Sequence, residues 1–164
     1  MNQPSPDNLI SLKKILVPID FSDYSKNALK YAVPFAKQFG AEILLLYVVE
    51  PTIYPADFSF GQVGFPSMEA EMYKRGSEEL IKLAEKEIKD TLKWQTRVET
   101  GKAFAEINRV AAEENVDLII IATHGHTGVE HIIFGSTAEK VVRKAPCPVL
   151  SIRTVERDTS RTKK

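Results

Sequence analysis

Four short apolar runs separated by amphipathic stretches set the strongest limit on what this chain can fold into. Lys14–Asp20, Glu42–Val49, Asp117–Ala122 and Pro148–Ile152 are β-branched or leucine-rich and apolar on successive residues, the pattern of strands buried on both faces. Helical periodicity fills the intervals. It runs over Tyr24–Phe39, with Ala28, Tyr31, Ala32 and Phe35 on one face, and over Met68–Leu92, with Leu80, Ala84, Ile88 and Leu92. It recurs over Phe104–Glu114 and Ser136–Lys144. Trp94–Thr100 alternates less cleanly, but with Gly101 after it supplies a third strand in chain order. Punctuation agrees: Ser22 is placed to cap the first helix with Asp23 in its first turn, Gly40 to end it, and Ser136–Glu139 reads as a capping box. The order βαβαβαβαβ requires right-handed crossovers and a covered parallel sheet. The expected fold is therefore α/β: a doubly wound, five-stranded parallel sheet with helices on both faces, Rossmann-like. In such sheets ligands bind outside the carboxyl ends of the strands, where the strand order reverses. Function is to be sought at Asp20, Val48–Pro51, Thr100–Lys102 and Thr123–Ser136.

The 164 residues suffice for one core without disulfides or metal. Residues 1–11 and 154–164 are polar and aperiodic and read as tails, which leaves 12–153 as the domain. With 22 Lys+Arg against 22 Asp+Glu there is no global field to draw in nucleic acid or an anionic membrane. Neither is expected as a partner. No apolar run reaches the roughly 18 residues of a spanning helix, and the first residues lack the basic and apolar regions of a signal peptide. The lone Cys147 excludes an internal disulfide and suits a reducing compartment. A cytoplasmic location is the expectation.

The segment Ala122–Thr137 joins the fourth strand to the last helix and is the richest feature of the chain. Gly125 and Gly128 permit backbone angles and close approach that a Cβ hinders. Gly135, Ser136 and Thr137 then open a helix whose first amides are free and whose dipole favours an anion. Strand, glycine loop and helix start together suit a phosphate, with donors added by the Ser136 and Thr137 hydroxyls and an amide near His126. The competing reading is an ordinary long loop whose glycines only turn the chain and whose Ser136 only caps a helix. Neither G-x-x-x-x-G-K-[ST] nor G-x-G-x-x-G occurs, which argues against a P-loop and an ordinary dinucleotide site.

The segment resembles the G-x2-G-x9-G-[ST] nucleotide motif of the universal stress protein family, read here as Ala122, Gly125, Gly135 and Ser136. Ala138–Arg153, the opening Lys14–Ser22 and Gly101–Ala122 are similar to the same family, so the likeness spans nearly the whole body. The resemblance implies an adenine nucleotide alpha hydrolase-like fold and, in the nucleotide-binding branch, bound ATP, with Mg2+ as an optional companion. Carried over by position, Pro18, Ile19, Asp20 and Val48 would line the base and ribose end. Ile121, Ala122 and Thr123 would lie beneath ribose and phosphates. Gly125, His126 and Gly128 would belong to the loop, with His126 beside phosphate, and Gly135, Ser136 and Thr137 would meet the phosphates. One position departs from the motif: Ala122 stands where its first glycine is expected, adding a methyl to the crevice. The resemblance also implies a homodimer paired through the last strand, Pro148–Arg153, which the apolar edge sequence suits.

Asp20 is the best placed carboxylate for a ribose hydroxyl, an adenine contact or a magnesium-bound water, and it also suits a cap on the turn into the first helix. His124, His126 and His131 are not expected to form a metal site, because no Cys or second compact His/carboxylate set lies near them in sequence. Cys147, between two prolines, reads as an inert thiol. Glu50–Ser67 is long and aromatic, fitting a lid or a subunit surface equally. Beside nucleotide binding by a stress-response dimer stand two rivals: a slow ATP hydrolase, for which no positioned Lys, Arg or nucleophile-orienting residue is identifiable, and a nucleotide-free scaffold closed by Ala122.

Overall fold

The structure, a computed structural model, describes residues 10–51, 66–124 and 135–153, with the side chains of 66–68 and 90 left aside. Five strands, β1 (Lys14–Pro18), β2 (Glu42–Val49), β3 (Trp94–Thr100), β4 (Leu118–Ala122) and β5 (Val149–Ile152), form one parallel sheet in the order β3-β2-β1-β4-β5. The helices are α1 (Asp23–Phe39), α2 (Pro66–Glu87), α3 (Ala103–Glu113) and α4 (Ser136–Lys144). After β1 the chain builds outward through β2 and β3, then crosses back to lay down β4 and β5 on the other side. The order therefore reverses between β1 and β4, where a crevice opens at their carboxyl ends.

Successive side chains of each central strand enter opposite cores. Ile15, Val17, Ile43, Leu45 and Ile120 pack under α1 and α2, against Leu29 and Leu80. Leu16, Leu44, Leu46, Ile119 and Ile121 pack under α3 and α4, against Val110 and Val141. Burial on both faces explains why β1, β2 and β4 are apolar without alternation. The outer strands differ: β3 and β5 are each only partly covered, and β3 is correspondingly more polar while β5 stays apolar. The expectation that the last strand is buried on both faces is thus corrected by its edge position.

α1 begins where Ser22 accepts a hydrogen bond from the Ser25 amide at 3.2 Å and ends at Gly40, whose φ of +67° is the left-handed stop that glycine adopts without strain. Its inward face is Ser25, Ala28, Leu29, Ala32 and Ala36, whereas Tyr31 and Phe35, expected on that face, are 48% and 36% exposed. Three alanines bring the helix axis close to the sheet, and rings of that size fit only at its flank. The second helix stops earlier than its periodicity suggests. A short 3-10 turn, Lys89–Thr91, with Lys89 at φ +56°, reverses the chain into β3. At α4 the capping box is not formed: Gly135 is the cap, Ser136 is the first helical residue, and among the described residues no side chain caps the helix start.

β3, α3 and β1 are tied by an ion-pair network. Arg97 bonds Glu99, Glu113 and Glu114; Arg109 bonds Glu99, Glu106 and Glu113; Lys14 Nζ meets Glu114 Oε2 at 2.8 Å. The Lys14 hydrogen bond, with Arg97 behind it, holds the Glu114 carboxyl below its ordinary value. A depressed carboxyl pKa adds stability above the unfolded value of about 4.3, and this is lost as pH falls through the folded value. Glu114→Gln is accordingly expected to lower the urea midpoint at pH 7, with the difference from wild type shrinking below about pH 4. Equal differences at pH 7 and pH 3 would contradict this. Among the described residues no helix is long and apolar enough to cross a membrane.

Candidate functional site

The sheet's reversal point opens into a cavity of about 610 Å³, within the usual range for small-molecule sites. The carboxyl end of β1 contributes Pro18, Ile19, Asp20 and Phe21; that of β2, Leu46, Tyr47, Val48 and Glu50. β4 contributes Ile121, Ala122, Thr123 and His124, and the start of α4 closes that side with Gly135–Ala138. Ten residues expected from sequence thus meet at one cavity: Pro18, Ile19, Asp20, Val48, Ile121, Ala122, Thr123, Gly135, Ser136 and Thr137. Gly125, His126 and Gly128 lie outside the described residues, as do His131 and most of Glu50–Ser67. Thr100–Lys102 do not line the cavity; the next residue, Ala103, does.

The β1–α1 turn is built around Asp20. Its Oδ1 accepts from the Ser22 amide at 3.0 Å and from the Ser22 hydroxyl at 2.5 Å, while its own amide donates to Ser25 Oγ at 3.3 Å. These bonds hold Phe21 at φ +63°, a left-handed conformation costing a non-glycine residue about 1–2 kcal/mol. The strained turn sets the Phe21 ring 4.9 Å from that of Tyr47, on the cavity wall. Behind Tyr47, Gly76 of α2 is required by close approach, since a Cβ there would lie 2.4 Å from the ring. Asp20 therefore serves as the turn's anchor and also faces the cavity.

Across the crevice, the Gly135 amide donates to the Thr123 carbonyl at 2.7 Å, pinning the start of α4 to the end of β4. An added Cβ at Gly135 would sit 3.1 Å from that carbonyl oxygen. With no side chain among the described residues capping α4, its first amides present their partial positive charge at the cavity. The Thr123 hydroxyl and His124 Nδ1 are 2.9 Å apart, and the His124 ring lies 5.5 Å from Tyr24. Ala122 is 7% exposed and packs into the α1-side core, so the cavity persists with the extra methyl in place.

Phe21, Tyr47, Met72 and Glu79, which the sequence did not single out, also line the site, as do Glu50 and His124, which fall within the Val48–Pro51 and Thr123–Ser136 stretches marked by the strand-end rule. They come from β2, α2 and two turns, and only the tertiary fold brings them together. Burial, then Glu79, then Asp20 raise the Tyr47 hydroxyl above its ordinary value, so this wall carries a negative field. Burial pushes the Cys147 thiol up, with Asp117 adding to it, which fits an unreactive thiol. Among the described residues no three His, Cys, Asp or Glu groups come together as metal ligands.

Comparison with known proteins assigns the family. Residues 11–153 match the sequence profile of the universal stress protein family. The chain is 35% identical over 148 residues to the universal stress protein MJ0531 of Methanocaldococcus jannaschii, covering 86% of this chain and 82% of that one. The solved structure of MJ0577, described as a hypothetical protein whose biochemical function was assigned from structure, superposes with a TM-score of 0.76 at 29% identity, over 90% of this chain and 99% of that one. A universal stress protein solved in complex with cAMP shares the fold at a TM-score of 0.66 and 20% identity, over 89% of this chain and all of that one. The alternating strands, the reversal point between β1 and β4 and these matches lead to one assignment: the chain belongs to the universal stress protein family.

Proposed function

We propose that this protein reversibly binds an adenine nucleotide, ATP, at the reversal point of its sheet, and acts in the cytoplasm as a homodimeric, nucleotide-responsive stress factor. The observation that carries the reading is the start of α4: a helix end with no side-chain cap among the described residues, pinned by Gly135 to Thr123 and opening on a cavity of nucleotide size. Free helix amides bind phosphate without a lysine of the P-loop kind. In this reading the phosphates lie against Gly135, Ser136 and Thr137, with Gly125, His126 and Gly128 supplied by the adjoining loop. Ribose and base extend over Ile121, Ala122 and Thr123 toward Pro18, Ile19, Asp20 and Val48. Adenine has no charge to neutralise, which suits an end walled by Val48, Leu46 and Ile107. A magnesium ion accompanying ATP would rest chiefly on phosphate oxygens and water, with Asp20 available to a bound water. The cAMP complex of a protein with this fold supports the adenylate class.

Occupancy would favour whichever arrangement of the cavity rim binds nucleotide better, and so alter the surface offered to a partner. The edge position of β5, with Val149, Leu150 and Ser151 only half-buried, supports pairing of two chains through Pro148–Arg153. Calorimetric titration with ATP, ADP and AMP, joined to identification of any small molecule released on denaturing fresh protein, tests the reading. Saturable binding of one adenylate per chain is expected. Protein that neither carries nor takes up an adenine nucleotide would refute it. Sedimentation at twice the chain mass is expected for the dimer; a monomer at micromolar concentration would contradict that part alone.

A further inference from the structure

Three helices begin at the cavity: α1, capped by the Ser22 side chain, reaches it through Ser25, and α3 and α4 reach it as well. α3 starts at Ala103 and α4 at Ser136, and both first turns line it. Their ends are treated differently. The residue preceding α3, Lys102, provides no side-chain cap, and the vacant role is filled from another element: Glu50, just past β2, accepts from the Ala103 amide through Oε1 at 2.7 Å. The reach is fixed by the backbone, because the Gly101 amide donates to the Val49 carbonyl at 3.0 Å and so locks the start of α3 beside the end of β2. Among the described residues no carboxylate caps α4 in this way. The Glu50 wall also holds Glu79, whose charge together with that of Asp20 is felt at Tyr47, and the described lining contains neither Lys nor Arg. The cavity is thus electrically polarised, with its own anions at the α2–α3 end and free amides at α4.

We propose that Glu50 is a specificity-determining residue that sets the direction of the ligand: its carboxylate occupies the opening amide of α3, leaving α4 as the anion-accepting end. The site then takes nucleotides with one anionic tail and rejects those carrying anions on both sides of the ribose. This rests on the nucleotide reading above and goes beyond it, since that reading says nothing of how a ligand with a second anion is treated. A carboxylate on a helix amide is a charge-assisted bond, and a second phosphate entering there would meet it at short range, with a repulsion that salt screens because Glu50 is exposed.

The test compares wild type, Glu50→Gln and Glu50→Ala with two ligands, AMP and adenosine 3′,5′-bisphosphate. At low ionic strength wild type is expected to prefer AMP by about fivefold, and both variants to narrow that ratio, Glu50→Ala more than Glu50→Gln. Glu50→Gln keeps an acceptor for Ala103, so it guards against failure of Glu50→Ala to fold. A capping role alone would lower both affinities together and leave the ratio unchanged, and that result would overturn the proposal. Inorganic phosphate, followed by amide chemical shifts, supplies an arm independent of nucleotide affinity. Phosphate should move the Ala103–Ala105 amides in Glu50→Ala and leave them still in wild type. Movement in wild type, or stillness in Glu50→Ala, would overturn the proposal. Should AMP fail to bind wild type, the nucleotide reading falls while the phosphate arm still decides the role of Glu50.

Discussion

Gly135→Val is expected to weaken adenylate binding by at least about 100-fold, or about 2.7 kcal/mol, while leaving the folded sheet in place. The added Cβ would meet the Thr123 carbonyl oxygen at 3.1 Å, forcing apart two segments that the 2.7 Å Gly135–Thr123 hydrogen bond holds together. The branched side chain would also stand at the mouth of α4, over the amides assigned to phosphate. Glycine is not needed there for its torsion angles, since φ −66° and ψ 150° suit any residue; it is needed for space. Gly135→Ala, with one methyl, should fall between wild type and Gly135→Val. Calorimetry on all three, with circular dichroism as the control for folding, checks the series. Unchanged affinity in Gly135→Val would remove the α4 end from the site and favour a scaffold that holds no nucleotide.

The largest loss of stability is expected at the centre of the sheet. Leu16 lies on β1, flanked by β2 and β4, and is fully buried in the core beneath α3 and α4. Leu16→Ala removes buried methyl groups and leaves a cavity that close-packed neighbours fill only in part, a change costing about 2–5 kcal/mol. For a domain whose net stability is of order 5–15 kcal/mol, that is a substantial share. Urea unfolding should show a lower midpoint with an unchanged slope. A loss below about 1 kcal/mol would mean that this core is looser than its burial implies.

The central strands were legible because burial on both faces writes itself as consecutive apolar residues: the bounds read for Glu42–Val49 are those of β2, while the edge strand β3, read from Trp94–Thr100 and the Gly101 after it, also keeps its bounds. Ser22 and Gly40 were legible because caps act through local hydrogen bonds and torsion angles. What local pattern does not carry is the distance of a helix from the sheet, which put Tyr31 and Phe35 outside the packed face of α1. Ser136 was misplaced by one position because a serine three residues before Glu139 fits the capping pattern, while the pinning of Gly135 to Thr123 depends on how the chain returns to β4.

The candidate site divides in the same way. Residues at strand ends and at the start of α4 follow from topology, and ten of them line one cavity. Glu79 and Tyr47 did not stand out, and Glu50 did so only as part of Val48–Pro51, because their roles lie in meeting across the fold: Glu50 with an amide 53 positions away, Tyr47 with Gly76 and Phe21. No spacing rule marks a carboxylate that caps a helix from a different crossover.

The central claim is that backbone amides at the start of α4 receive the phosphates of an adenine nucleotide. A crystal structure of the protein grown with millimolar ATP tests it most directly. The account predicts phosphate oxygens within hydrogen-bonding distance of the Ser136 and Thr137 amides, with adenine toward Val48 and Asp20. A cavity left empty at that concentration, or an adenylate seated with its phosphates against Glu50 and the start of α3, would contradict it.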